Sequence, residues 1–315
     1  MKTIVVTGGA GFIGSNLVDR LISDGFRVVV IDDFSEGKEE NLAQHKDNDV
    51  TIYRRSITED LNDIFEKERP EAIMHLAALA RVPLSIAKPR ETNDVNLNGT
   101  LNLLITANDH GVKRFVNYGS SSEYGDPPTR PFKEDMVLQP LSPYGLQKLA
   151  ADHYARLFHI MHGMETITLR PFNVFGRRMN HEGAYALLIG KVHAWLFNGA
   201  RFFINGDGEQ TRDFTYIDDV IEATMIAMMT DNEKCFGQSF NVGGGRAHIV
   251  NEVVDKIIIF SGKSISPEHG PALIEPHDTL ADVSKSKELL GWEAKADFDE
   301  GLKKTFEYFK ELFNK

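Results

Sequence analysis

The chain has 315 residues, 42% hydrophobic and 26% charged, and a net charge of −11. This is a globular composition with room for one large core or two, and its acidity excludes the basic stripe that neutralises phosphates along DNA or RNA. Cys235 is the only cysteine, so an intramolecular disulfide and a cysteine-built zinc site are excluded.

No apolar run reaches the roughly 20 residues that span a bilayer. No charged, apolar and cleavable leader opens the sequence, so a soluble, cytoplasmic protein with no membrane partner is expected. In chain order, short β-branched runs at residues 4–7, 28–31, 50–53, 72–76, 115–118 and 166–169 read as strands. Helical patterns fall between them at 12–23, 96–108 and 143–162. The alternation predicts an α/β fold: a Rossmann-like, doubly wound parallel sheet with helices on both faces, over residues 1–170. Beyond Arg170 the pattern loosens into Gly206-Asp207-Gly208 and Gly243-Gly244-Gly245, with helices expected at 218–229, 251–261 and 299–313. Residues 171–315 are expected to form mainly a smaller α/β lobe for the substrate, with some segments returning to the sheet. The groove between the two parts is the expected ligand site.

Between the first strand and the first helix lies Thr7-Gly8-Gly9-Ala10-Gly11-Phe12-Ile13-Gly14. Gly8 permits a tight turn, Gly11 lets main chain approach a pyrophosphate at the helix N-terminus, and Gly14 lets helix and strand pack closely. Eighteen residues past Gly14, Asp32 ends the second strand, where an acid binds the adenosine ribose. A carboxylate there repels a 2′-phosphate, so the expected cofactor is NAD rather than NADP. Asp33 and Ser35 are candidate helpers.

Tyr144 and Lys148 stand at i and i+4 near a predicted helix start, with Pro143 suited to its first turn. A free tyrosine, with a pKa of about 10, is a poor base at neutral pH. A nearby ammonium and a cationic nicotinamide would lower that value and make Tyr144 a usable base. The run Ser120-Ser121-Ser122-Glu123-Tyr124-Gly125 follows the fifth strand, at the sheet end where doubly wound folds place ligands. A hydroxyl there can hydrogen-bond the reacting oxygen beside the tyrosine. His153, His159 and His162 lack the acid or cysteine companions of a zinc site, and no metal is expected.

The glycine motif, His75-Leu76-Ala77-Ala78, the serine run, Tyr144-x-x-x-Lys148 and Arg170-Pro171-Phe172-Asn173 occur in this order, followed by Gly208-Glu209-Gln210-Thr211-Arg212-Asp213-Phe214-Thr215-Tyr216 and Thr279-Leu280-Ala281-Asp282. Together they resemble the extended short-chain dehydrogenase/reductases, in their nucleotide-sugar epimerase/dehydratase group, over nearly the whole chain. The resemblance implies Tyr144 as base, Lys148 as its tuning partner and holder of the nicotinamide ribose, and Ser120 as assistant. It implies further NAD contacts from Ser56, Ile57, Leu76, Ala77, Ala78 and Asn96. Ser121, Ser122, Asn173, Arg212 and Thr279 are implied substrate contacts, with Asn173 and Arg212 on the nucleotide diphosphate, which suits a guanidinium fork. A homodimer is also implied.

Related dehydratases and uronate decarboxylases carry an acid two residues before the tyrosine of the Tyr-Gly pair. Here that position is Ser122, and Glu123 follows it. In an extended segment a one-residue shift turns a side chain to the other face, which favours a 4-epimerase of a UDP-hexose, glucose or N-acetylglucosamine series. A dehydratase, a uronate decarboxylase or epimerase, and a non-catalytic NAD-binding regulator are the alternatives. Two positions depart from the group. Ser56 replaces an acid expected near adenine, and Ala272 replaces an arginine expected on the diphosphate, for which Arg177, Arg178 or His277 are candidate substitutes.

Overall fold

A computed structural model of the chain describes residues 2–45, 49–181, 187–272 and 275–314. Its centre is a seven-stranded sheet. Six strands come from the first 171 residues: β1 (Thr3–Thr7), β2 (Arg27–Asp32), β3 (Val50–Arg54), β4 (Ala72–His75), β5 (Arg114–Tyr118) and β6 (Glu165–Pro171). The seventh, Gln238–Val242, comes from far along the chain and pairs with β6, Gln238 opposite Ile167 and Val242 opposite Pro171. Every pair in the sheet is parallel, in the spatial order seventh strand, β6, β5, β4, β1, β2, β3. The order reverses between β1 and β4, which opens a crevice at the carboxyl ends of those two strands.

The strands form because they are buried on both faces. All five residues of β1 are buried. Ile4 and Val6 face one core with Leu17, Val18 and Leu21 of helix α1 (Phe12–Ser23) and with Val220 and Ile221 of the Ile217–Met229 helix. Val5 faces the other with Ile64, Phe65, Leu103 and Leu104. At ~25 cal/mol per Å² of buried apolar surface, such a two-sided sandwich supplies the main driving force for folding.

The predicted helix 96–108 proves longer and is not uniform. It opens as a π-helical turn, Asp94–Gly99, and continues as the α-helix Thr100–Asp109. A buried chain of hydrogen bonds explains why the sequence is held there. Thr7 Oγ1 accepts from the Ala77 amide and bonds His75 Nδ1, while His75 Nε2 meets Thr100 Oγ1, which donates to the Asn96 carbonyl. These partners assign the Nε2–H tautomer. Burial pushes His75 down to about 3, so it is neutral. The periodicity reading missed the short Asn62–Glu68, Val82–Ala87 and Pro89–Asn93 helices and the Leu188–Asn198 helix. The Pro143–His162 helix spans the expected residues and leaves Leu146, Leu157, Ile160 and Met161 exposed along one stripe.

Candidate active site

The glycine turn is built from main chain. Gly8 has φ +69°, and a Cβ there would lie 2.7 Å from the Ala77 amide nitrogen. A Cβ on Gly14 would lie 2.1 Å from the Gly8 carbonyl oxygen. Both are contacts only glycine allows. Gly11 caps α1 without a side-chain hydrogen bond, and the first turn holds no acid. The amide-rich, positive end of the helix thus points at Phe12, Ile13 and the turn with no carboxylate to neutralise it.

Asp32 lies at the end of β2, and burial raises its carboxyl above the usual range while amides pull it back. One oxygen accepts from the Ala10 amide and the other from Phe34, each at 2.8 Å. Sequence reasoning gave Asp32 a ligand role alone, but it also fastens the glycine turn to β2. Asp33 and Ser35 bond each other at the surface, the hydroxyl donating to the carboxylate. Ser56 bonds Thr58, and Ile57 packs under Gly99. Leu76 extends the β1–β4 pairing, its amide donating to the Thr7 carbonyl, and Ala77 lies against Gly8. Asn96 is fully buried. Its amide hydrogens go to the Leu79 carbonyl and Gln147, and its carbonyl accepts from the Leu79 amide. Its donors are therefore spent on holding the segment after Ala78.

Ser120, Tyr144 and Lys148 come together. Ser142 caps the Pro143–His162 helix by accepting from the Gly145 amide, and Pro143 occupies its first turn. A Cβ on Gly145 would lie 2.5 Å from the Ser122 carbonyl, so this glycine lets the helix abut the serine turn. Neither contact was visible in the sequence. Ser120 lies close enough to Tyr144 for its side chain to act on the phenol. All three residues are under 10% exposed. Burial pushes Tyr144 up to about 12, against a lowering by Ser120. Burial also pushes Lys148 down to about 8, opposed by the charges of Glu123 and Asp152. In a dry site desolvation outweighs the partner charge.

The serine run is not extended, and this corrects the alternation argument. Ser121–Glu123 is a 3-10 turn capped by Ser120. Glu123 is wholly buried, with one oxygen 2.8 Å from Arg170 Nε and the other accepting from the Ser120 amide. Ser121 and Ser122 remain half-buried on the turn.

A second group gathers around the Thr211–Asp213 strand. Asn173, at φ +30°, donates to the Asp213 carbonyl and reaches Thr279 Oγ1 at 3.4 Å. Arg212 donates to the Thr211 and His277 carbonyls and pairs with Glu275 at 2.8 Å. The three candidate substitutes for an arginine at Ala272 are each tied to an acid: Arg177 to Asp218, Arg178 to Asp19 and His277 to Asp278. Tyr124, Phe132, Phe172 and Ala281 form one buried cluster. It joins the serine turn to the segments that carry Asn173 and Thr279. The buried Asp213 carboxylate, unsuspected from sequence, accepts from the Gly244, Gly245 and Ala281 amides and stitches these loops together.

Residues 4–243 match the model of the NAD dependent epimerase/dehydratase family. The chain belongs to that family. Among curated relatives of this family member, a UDP-glucose 4-epimerase of Mycolicibacterium smegmatis is 36% identical, covering 98% of this chain and 99% of its own. A UDP-N-acetyl-alpha-D-glucosaminuronate decarboxylase of Bacillus cytotoxicus is 31% identical, covering 99% of each. A UDP-glucose 4-epimerase of Thermotoga maritima, crystallised with UDP-glucose, superposes with a TM-score of 0.92 at 36% identity, covering 98% of this chain and 99% of that one. The chain is thus of the nucleotide-sugar enzyme class, and NAD is its cofactor. The site fits that group: a cradle at Gly8 and Gly14 that a Cβ would fill, a helix end without acid, and a buried carboxylate at the end of β2.

Proposed function

We propose that this chain is a 4-epimerase of a UDP-hexose, of the glucose–galactose or the corresponding N-acetylhexosamine pair. One observation carries the choice within the family: the serine turn offers Tyr144 a hydroxyl from Ser120, while its only acid, Glu123, is locked to Arg170. Dehydration and decarboxylation at this turn call for an acid beside the sugar; inversion at C4 does not.

In this reading Gly8, Gly11, Phe12, Ile13 and Gly14 hold the pyrophosphate of NAD, Asp32 with Asp33 and Ser35 the adenosine ribose, and Ser56 and Ile57 the adenine edge. Leu76, Ala77 and Ala78 border the nicotinamide half, which Tyr144 and Lys148 orient, with Asn96 steadying that wall. When bound, NAD supplies reversible hydride transfer at the sugar carbon. The protein moves the proton. Tyr144 Oη takes it from the sugar 4-hydroxyl, and Ser120 Oγ hydrogen-bonds the same oxygen. Burial leaves the free phenol too weak an acid to act unaided, so the Lys148 ammonium beside the bound cofactor must stabilise the phenolate. Inversion requires the sugar to turn over while Asn173 and Arg212 keep the diphosphate. Thr279, a small residue whose hydroxyl faces Asn173 and the Asp213 amide, leaves room at the sugar for either series.

The test is proton NMR of purified protein with UDP-glucose, UDP-N-acetylglucosamine and UDP-glucuronate in turn. The expected result is the C4 epimer of one of the first two, with no loss of water or CO₂. A 4-keto-6-deoxy or pentose product would overturn the reading of the serine turn.

A further inference from the structure

Glu123 is a carboxylate with no exposure to water, immediately before Tyr124 in a turn whose function requires only hydroxyls. A buried carboxylate is costly unless it is paired and hydrogen-bonded. Its two oxygens have different partners. Oε1 accepts from the Ser120 amide at 2.8 Å, while Ser120 Oγ accepts from the Ser122 amide, the reciprocal arrangement of a capping box. Oε2 lies 2.8 Å from Arg170 Nε. The room for this carboxylate exists because residue 119 is glycine: a Cβ there would lie 2.5 Å from Oε1.

Beyond Arg170 the contacts spread into two other elements. Arg170 Nη2 meets Asp152 Oδ2 at 2.6 Å on the catalytic helix. Asp152 also accepts from Ser239 on the seventh strand. Arg170 Nη1 reaches the Tyr124 hydroxyl, which donates to Asn241. Asp152 stands four residues after Lys148, on the same helix face. Two cations, Arg170 and Lys148, thus lie with two acids, Glu123 and Asp152, in a region closed to water, where burial pushes Glu123 up to about 8 against the pull of Arg170. The charged or titratable groups acting on Lys148 are Glu123 from the serine turn and Asp152 from its own helix, with His75 coupled to it from β4.

We propose that Glu123 is a positioning residue, which by bridging the Ser120 amide to Arg170 sets the serine turn, and with it the serine hydroxyl, beside Tyr144. The proposal rests on Tyr144, Ser120 and Lys148 being the catalytic group. Without Glu123 the cluster loses one acid beside its two cations, and the ammonium is the member able to respond by losing a proton.

The test is Glu123→Gln, which keeps an oxygen for the Ser120 amide and a similar volume but removes the charge. Two readouts are needed. In the chain labelled with ¹³C at lysine Cε, the Lys148 resonance, assigned by its absence from Lys148→Met, should titrate at lower pH in Glu123→Gln than in the parent. In turnover of UDP-glucose or UDP-N-acetylglucosamine, kcat should fall at least tenfold with KM unchanged, and the alkaline limb of the kcat profile should move to lower pH. Glu123→Asp, which restores the charge, should return part of the rate. An unmoved Lys148 titration, or a loss that appears only in melting temperature, would overturn the proposal. If the parent turns over neither sugar, the catalytic reading fails while the lysine titration still decides the coupling.

Discussion

Around Gly8, Gly11 and Gly14 the proposed ligand surface is main chain, fixed by residues adjacent in sequence and by the strand beside them. Around Asn173, Arg212 and Thr279 it is made of side chains held by partners distant in sequence: Asn173 by residues 40 and 106 positions away, Arg212 by Glu275 at 63. The first surface tolerates little change because its shape is the backbone itself. The second can be retuned one side chain at a time, as family relatives acting on different sugars would require.

Gly14→Ala should show the largest effect and so tests this contrast hardest. Its Cβ would lie 2.1 Å from a carbonyl oxygen that cannot swing aside, so helix and turn must part. A loss of about 1–3 kcal/mol or more is expected from overpacking, and NAD recovered from the denatured protein should fall severalfold. If NAD content is unchanged, the turn is more pliable than the contrast allows. Arg212→Met comes next. Losing hydrogen bonds from a charged donor costs about 1.5–3 kcal/mol, hence a roughly 10- to 100-fold rise in KM with kcat nearly unchanged. A matching fall in kcat, or loss of bound NAD, would show that the two surfaces are not independent.

The smallest effect should be in pH response, where the two regions diverge. His75 is held down near 3, below the ordinary value of 6.5, so the unfolded chain takes up a proton first as pH falls. The stability it contributes is complete above pH 6.5 and drains away toward pH 3. Asp213 is pushed up to about 7 by burial, so its contribution is complete below 3.8 and is lost as pH rises through 7. Hydrogen exchange at pH 5 and pH 8, corrected for intrinsic rates, should show looser amides around β1 and β4 in acid. The 213, 244 and 281 loops should loosen in base, each by on the order of 2 kcal/mol. The same trend in both regions would contradict these two assignments.

What could be read in advance followed the same divide. The glycine turn, Asp32, and the Tyr144–Lys148 pair are local patterns: strand ends, helix starts and i,i+4 spacing appear in the sequence itself. Gly145 against Ser122, Glu123 against Arg170, and Asp213 beneath Gly244 are not, because each depends on which distant segments the fold brings together. The alternation rule failed at Glu123 because a capping serine converts an extended run into a turn.

The seventh strand has a practical consequence. Because Gln238–Val242 pairs with β6 after the chain has travelled through the Thr211–Asp213 strand and the Ile217–Met229 helix, no single cut separates a cofactor half from a substrate half. A chain truncated at residue 237 would leave β6 as an open parallel edge, a template for pairing with other copies. Chimeras meant to exchange substrate preference with a relative must therefore carry this strand with the sheet, and graft only the loops that leave and re-enter on either side of it.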